Sequence, residues 1–253
     1  MSDRDERGGK VSARATPQAA PTAGAGGPLG AAALVVYAVI ALAGGLLLAF
    51  WWAPTADEMG GFAQKIFFYH VPIAETALVA FAVAFVAGIM YLARRDARYD
   101  RLGLVAVRLG LLFSALVMAT GMIWGKAAWG VWWTWEPRLT TFLIACLLYC
   151  GYFVLRATVE DESRRATYAA LFAVIAFVDV PLTFFATRLV PEGSQLHPVV
   201  VTTTGTGMDT AVLVPLLICM LGMTLLFAGL LRLGVATEAL REELAVLKDR
   251  LER

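Results

Sequence analysis

The sequence predicts an all-α, polytopic membrane protein with six transmembrane helices and both termini cytoplasmic. Three observations carry that prediction. Of 253 residues, 59% are hydrophobic and only 16% charged, far from the mix of a soluble domain. Six runs approach the roughly 20 apolar residues that cross a bilayer. When those runs are threaded back and forth, 17 of the 21 Lys and Arg gather on one side, the bias that marks the cytoplasmic face.

Residues 1–30 mix scattered charge with Ala, Pro and Gly and hold too few large apolar groups to fold alone. They are expected to form a disordered cytoplasmic N-terminus. The first apolar run, about 31–52, is too long for the core of a secretory signal and reads as a retained first helix. Runs at about 73–93, 104–124, 139–156, 167–187 and 211–231 supply the other crossings of a membrane domain spanning 31–232. Arg108 and Arg156 lie just inside predicted helix ends, where long basic side chains snorkel to the surface. Lys65, Lys126, Arg138 and Arg188 are left to the outer face.

Asp179, in Phe177-Val178-Asp179-Val180-Pro181, is a carboxylate inside the fifth run. Such a group either marks an ion pathway or organises the backbone at a proline kink, and the kink is the preferred reading. After the last crossing, Leu240, Leu244, Leu247 and Leu251 recur at spacings of four, three and four, with charges on the other faces. Residues 233–253 are therefore expected to be an appended amphipathic cytoplasmic helix with a packing or docking stripe, too short for a stable coiled coil.

Several function classes are excluded at this level. A net charge of +1 with dispersed basic residues offers no footprint for nucleic acid. Cys146, Cys150 and Cys219 sit in apolar runs without a Cys-x-x-Cys pair, which argues against thiol–disulfide exchange and against a covalently attached c-type haem. There is no Gly-x-x-x-x-Gly-Lys-[Ser/Thr] loop in the sequence, so energy coupling requires a partner.

Five of the seven tryptophans fall between Trp124 and Trp135, in the run Trp124-Gly-Lys-Ala-Ala-Trp129-Gly-Val-Trp132-Trp133-Thr-Trp135-Glu136-Pro137-Arg138. With Trp51 and Trp52, all of them fall at the predicted outer interface. An ordinary aromatic belt populates both interfaces, so the one-sided cluster reads as a binding surface for a flat aromatic ligand. The two histidines, His70 and His197, are 127 residues apart and share that face. Imidazoles from two separate loops suit the axial positions of a haem iron. Zinc fits less well, because the outer loops offer no thiolate and no close His/carboxylate set. Lys126 and Arg138 are suited either to pairing with haem propionates or to anchoring at the interface. Glu136 is suited either to an ion pair with Arg138 or to contact with a carrier protein.

The tryptophan run, extended through Leu139-Thr140, resembles the outer-face haem-binding motif of the CcmC family, haem-handling membrane proteins of cytochrome c maturation. Tyr69-His70-Val71-Pro72 and Leu196-His197 resemble that family's two histidine segments. The resemblance covers most of residues 31–231. It implies haem b, bound transiently, with His70 and His197 as axial ligands to the iron. Trp124, Trp129, Trp132, Trp133 and Trp135 would form the aromatic site, with Glu136 and Arg138 at its polar edge. It further implies a non-enzymatic delivery role in the bacterial inner membrane with the haem site facing the periplasm. The partners implied are the haem chaperone CcmE, the small membrane protein CcmD and the ATP-driven CcmAB complex. Glu136 stands where the family usually has Asp, Pro137 follows it, and Asp179 replaces a neutral polar residue. Two alternatives remain: a cytochrome c synthase component of the CcsA or CcmF type, whose additional histidines have no candidate here, and a small-solute permease subunit in which the tryptophans only anchor the bundle.

Overall fold

The computed structural model describes residues 28–188, 196 and 208–253. The described chain is helical without strands. Its helices are α1 (Pro28–Trp51), α2 (Phe67–Arg94), α3 (Ala97–Trp129), α4 (Pro137–Thr158), α5 (Glu162–Ala176), α6 (Asp179–Phe185) and α7 (Thr210–Glu252). Six segments are long and apolar enough to cross a membrane, α5 and α6 together making the fifth. The protein is thus a multi-pass membrane protein of the predicted class. Residues 1–27, most of the segment expected to be disordered, lie outside the described residues, and α1 begins at Pro28.

Local chemistry sets the helix ends. Asp96, Asp161 and Asp209 cap α3, α5 and α7, each carboxylate accepting a backbone N–H in the first turn at 2.7–2.9 Å, which satisfies one of the orphan donors there. α2 and α3 form a hairpin through Arg95 and Asp96 alone. Arg95 takes the left-handed conformation (φ 54°) and donates its N–H to the Tyr91 carbonyl at 2.8 Å. Gly130, at φ 77°, ends α3, a position that favours a residue without a Cβ.

Small residues let the helices approach closely. α1 runs antiparallel to α7. A Cβ at Gly229 would meet Val35 and Ala31, one at Gly222 would meet Leu42 and Ala38, and one at Gly45 would meet Cys219. This is the close contact that small side chains permit between membrane helices. At the centre, Phe81 of α2 lies over Gly110 of α3 and stacks on Tyr149 of α4, with ring centroids 3.7 Å apart. Asp100 of α3 receives both guanidinium nitrogens of Arg156 at 2.6 and 2.9 Å. Arg156 is a bidentate partner that ties α4 to α3.

Two elements differ from expectation. The fifth run is not one helix: α5 stops at Ala176 and α6 starts at Asp179. Pro181 has no N–H for the Phe177 carbonyl, which instead accepts from Val180 at 3.0 Å, so the break follows from the proline. Asp179 opens α6, is buried, and its Oδ2 has no hydrogen-bond partner among the described residues. The C-terminal segment is also not a separate helix. It continues α7 without interruption for 43 residues, about 64 Å. Its Glu238 and Glu242 pair with Arg108 and Arg101 of α3. Leu240, Leu244, Leu247 and Leu251 remain exposed.

Candidate functional site

All seven tryptophans lie at one end of the bundle, where α1 and α3 end and α2, α4 and α7 begin. A cavity of about 720 Å³ opens there and descends between α2, α3, α4, α6 and α7, lined by α2 from Phe67 to Ala82. That stretch of α2 is about 22 Å long, so the cavity reaches well into the apolar zone. Ala74, Leu78, Val79, Val117 and Phe142 line its lower part. Among the described residues, none of the lining comes from α1 or α5.

His70 is a buried polar group in the wall. It sits in the first turns of α2, is 5% exposed, and its Nδ1 lies 2.8 Å from the Thr120 hydroxyl of α3. Its ring meets Trp124 edge-on, with centroids 5.8 Å apart, and rests over Gly121, where a Cβ would come within 3.0 Å of the imidazole Cε1. Trp124 is only 4% exposed and its Nε1 donates to the Met59 carbonyl at 3.2 Å. Phe67 and Trp129 pack against the same indole. The inner wall is therefore part of the protein core.

The rim is built differently. Trp132 is 55% exposed and Trp135 75%. Trp129, Trp132 and Trp133 line the cavity, whereas Trp135 does not and instead meets the edge of Trp133 at 5.8 Å. Trp135 thus extends the aromatic shelf outward from Trp133. The Nε1 of Trp133 is buried without a hydrogen-bond partner among the described residues. Lys126, exposed, donates to the Gly130 carbonyl at 2.9 Å and closes the turn after α3, outside the cavity lining. Arg138, in the first turn of α4, is part of that lining.

Glu136 occupies the N-cap position of α4 but makes no side-chain cap bond to its own helix. Its Oε2 accepts the Leu196 N–H at 2.9 Å, joining the tryptophan loop to a residue that lies between α6 and α7 in sequence. Leu196 lines the cavity. His197, the next residue and the second expected ligand, lies outside the described residues.

The structure adds Glu75, which lies in α2 just below His70 and lines the cavity, its Oε2 buried without a hydrogen-bond partner among the described residues. Its signal in the sequence is an acid at the start of the second apolar run. Among the described residues no group of three or more His, Cys, Asp or Glu is arranged to hold a metal ion.

Fold and site together define a polytopic α-helical membrane protein with a deep apolar cavity walled by tryptophan at one end. The family described as Heme exporter protein C, CcmC, matches residues 24–250, and the chain belongs to that family. It is 29% identical to Heme exporter protein C of Rhodobacter capsulatus over 86% of this chain and 89% of that protein. It is 32% identical to the protein of the same description from Paracoccus denitrificans over 78% and 82% of the two chains. With that of Escherichia coli K12 the identity is 29% over 60% and 62%.

Proposed function

We propose that this protein binds haem in the tryptophan-walled cavity and delivers it to the chaperone CcmE for c-type cytochrome biogenesis. The observation that carries this reading is the buried imidazole of His70, fixed in the wall of a large and predominantly apolar cavity. Its volume of about 720 Å³ lies within the roughly 300–1,000 Å³ of small-molecule and cofactor sites. The donor set suits a tetrapyrrole: an imidazole for iron, indole faces for the macrocycle and Arg138 for a propionate. Gly121 leaves the space that the imidazole occupies. Leu196 in the wall brings the backbone within one residue of His197, the proposed second axial ligand. When bound, haem would supply the iron, and His70, the tryptophans of the cavity and Arg138 would hold, orient and shield it.

In this reading both termini are cytoplasmic, the haem site faces the periplasm, and the protein resides in the bacterial inner membrane as a delivery protein rather than an enzyme. CcmD and the ATP-driven CcmAB complex are its proposed partners. The charge partition supports the orientation. Single cysteines at Gly130 and Ser194 in a cysteine-free background should react with a membrane-impermeant thiol reagent from outside, and one at Ser163 should not. The reverse pattern would put the site on the wrong side of the membrane. For haem itself, the purified protein should carry an oxidised and a reduced absorption spectrum of a low-spin, bis-histidine haem b. Purification without pigment, and failure to take up added haem, would favour the permease reading.

A further inference from the structure

We propose that Thr120 is a positioning residue for His70, holding its imidazole with the proton on Nδ1 and Nε2 as the ligating nitrogen. The inference rests on the haem-binding reading above but begins from hydrogen-bond accounting. A threonine hydroxyl has one proton and two lone pairs. In α3 the Thr120 hydroxyl lies 2.8 Å from the Leu116 carbonyl and 3.2 Å from that of Val117. Carbonyls only accept, so the hydroxyl proton is committed to its own helix. The contact of 2.8 Å between Thr120 Oγ1 and His70 Nδ1 is satisfied together with both carbonyl contacts when an Nδ1–H donates to a threonine lone pair. A neutral imidazole carries one N–H, which leaves Nε2 with its lone pair in the plane of the ring.

The chain of donors runs from His70 Nδ1–H to Thr120 Oγ1 and from the Thr120 hydroxyl to the Leu116 carbonyl. Each bond polarises the next, which makes Nε2 a stronger electron donor. Backbone carbonyls and carboxylates commonly play this part for metal-bound histidines. Here a hydroxyl tied to the helix backbone takes their place. Gly121 completes the arrangement, because its missing side chain lets the ring lie against α3. Both residues belong to α3 whereas His70 belongs to α2, so the packing of the α2–α3 hairpin determines the orientation of the ligand.

The test separates this role from simple packing. Thr120→Val keeps the shape and removes the acceptor, whereas Thr120→Ser keeps the acceptor and removes a methyl group. If Thr120 orients the ligand, the valine variant should bind added haem about 10–100-fold more weakly, the range typical of lost outer-shell partners. Its remaining haem should have a more positive midpoint potential, because a weaker donor stabilises ferric iron less. The serine variant should resemble wild type in both. A packing role predicts the opposite order, with serine the weaker variant and valine near wild type, and would overturn the proposal. In a His70→Ala background the valine substitution should have no further effect on haem affinity, since coupling requires the partner.

A second measurement works without haem. In the full-length, ¹⁵N-histidine-labelled protein with His197→Gln, the remaining histidine signal should report an Nδ1-protonated tautomer, and Thr120→Val should shift it towards the Nε2-protonated form. An Nε2-protonated signal in the otherwise unaltered chain would sink the positioning role. If the tautomer is as expected but His70→Ala binds haem with an unchanged spectrum, the Thr120 contact stands while axial ligation by His70 fails.

Discussion

The inner wall of the cavity and its rim are made of the same residue types, yet they are held in different ways. In the inner wall, His70 and Trp124 are 5% and 4% exposed, packed against Phe67 and bonded to Thr120 and Met59. In the rim, Trp132 and Trp135 stand more than half exposed, and the contacts that hold the loop include Lys126 to the Gly130 carbonyl and Glu136 to the Leu196 N–H. Packing fixes a side chain on many sides at once, whereas one hydrogen bond contributes about 1 kcal/mol net. Under the proposed function, the wall would set ligand geometry and the rim would yield the ligand to another protein.

The largest effect that would test this contrast is loss of the ligands. His70→Ala should abolish most haem retention, and added imidazole should restore part of the spectrum by filling the vacated position. His197→Ala should weaken retention as well. If the double alanine variant binds haem with an unaltered spectrum, axial ligation is wrong and the wall has no privileged role.

Next in size is an effect on the protein itself. Trp124→Ala empties a packed core site and should destabilise the haem-free protein by about 3–5 kcal/mol, read by thermal or denaturant unfolding in detergent. Trp135→Ala should stay within about 0.5 kcal/mol, as exposed substitutions usually do. Equal losses for the two would erase the distinction between wall and rim.

A smaller and more selective effect is expected at Glu136. Glu136→Gln keeps an oxygen that can accept the Leu196 N–H but removes the charge, whereas Glu136→Ala removes both. The glutamine variant should retain more haem than the alanine variant, by about threefold to tenfold for one bond's worth of free energy, yet still transfer it poorly to CcmE. Arg138→Ala should share the transfer defect. Haem content and transfer measured in the same membranes, with protein abundance checked, separate the two functions. Equal haem content in the two Glu136 variants would deny the loop tie any role.

The smallest individual effects belong to the exposed indoles. Trp132→Ala or Trp135→Ala alone should leave haem content almost unchanged, because neighbouring aromatic contacts are redundant. Replacing Trp129, Trp132, Trp133 and Trp135 together should lower occupancy clearly. Normal transfer from that fourfold variant would reduce the rim to an interface anchor.

Much of this was legible in the sequence, for identifiable reasons. The crossings show because span length and apolarity are local properties of the chain. Pro181 signalled an interruption of the fifth crossing, although only the structure shows α5 and α6 as distinct helices. The clustering of tryptophan near His70 followed from counting crossings. Glu136 offered no comparable signal. Its type suggested an ion pair or a docking group, whereas its carboxylate reaches a backbone N–H 60 residues away, a contact set by how two loops converge. Glu75 was visible as a charge at the start of an apolar run, but its place in the cavity wall depends on the rotation of α2.

By itself, the sequence determined six apolar spans and a tryptophan-rich segment in place between the third and fourth. These depend on composition and spacing within about 20 residues, the scale on which a helix meets the bilayer. Tertiary structure decided which tryptophan is core and which is rim, that Arg156 pairs with Asp100, and that His70 meets Thr120 from 50 residues away. Those outcomes depend on how the helices rotate and slide against each other. A helix turns 100° per residue, so a small change of register would exchange one facing side chain for another while leaving every span intact.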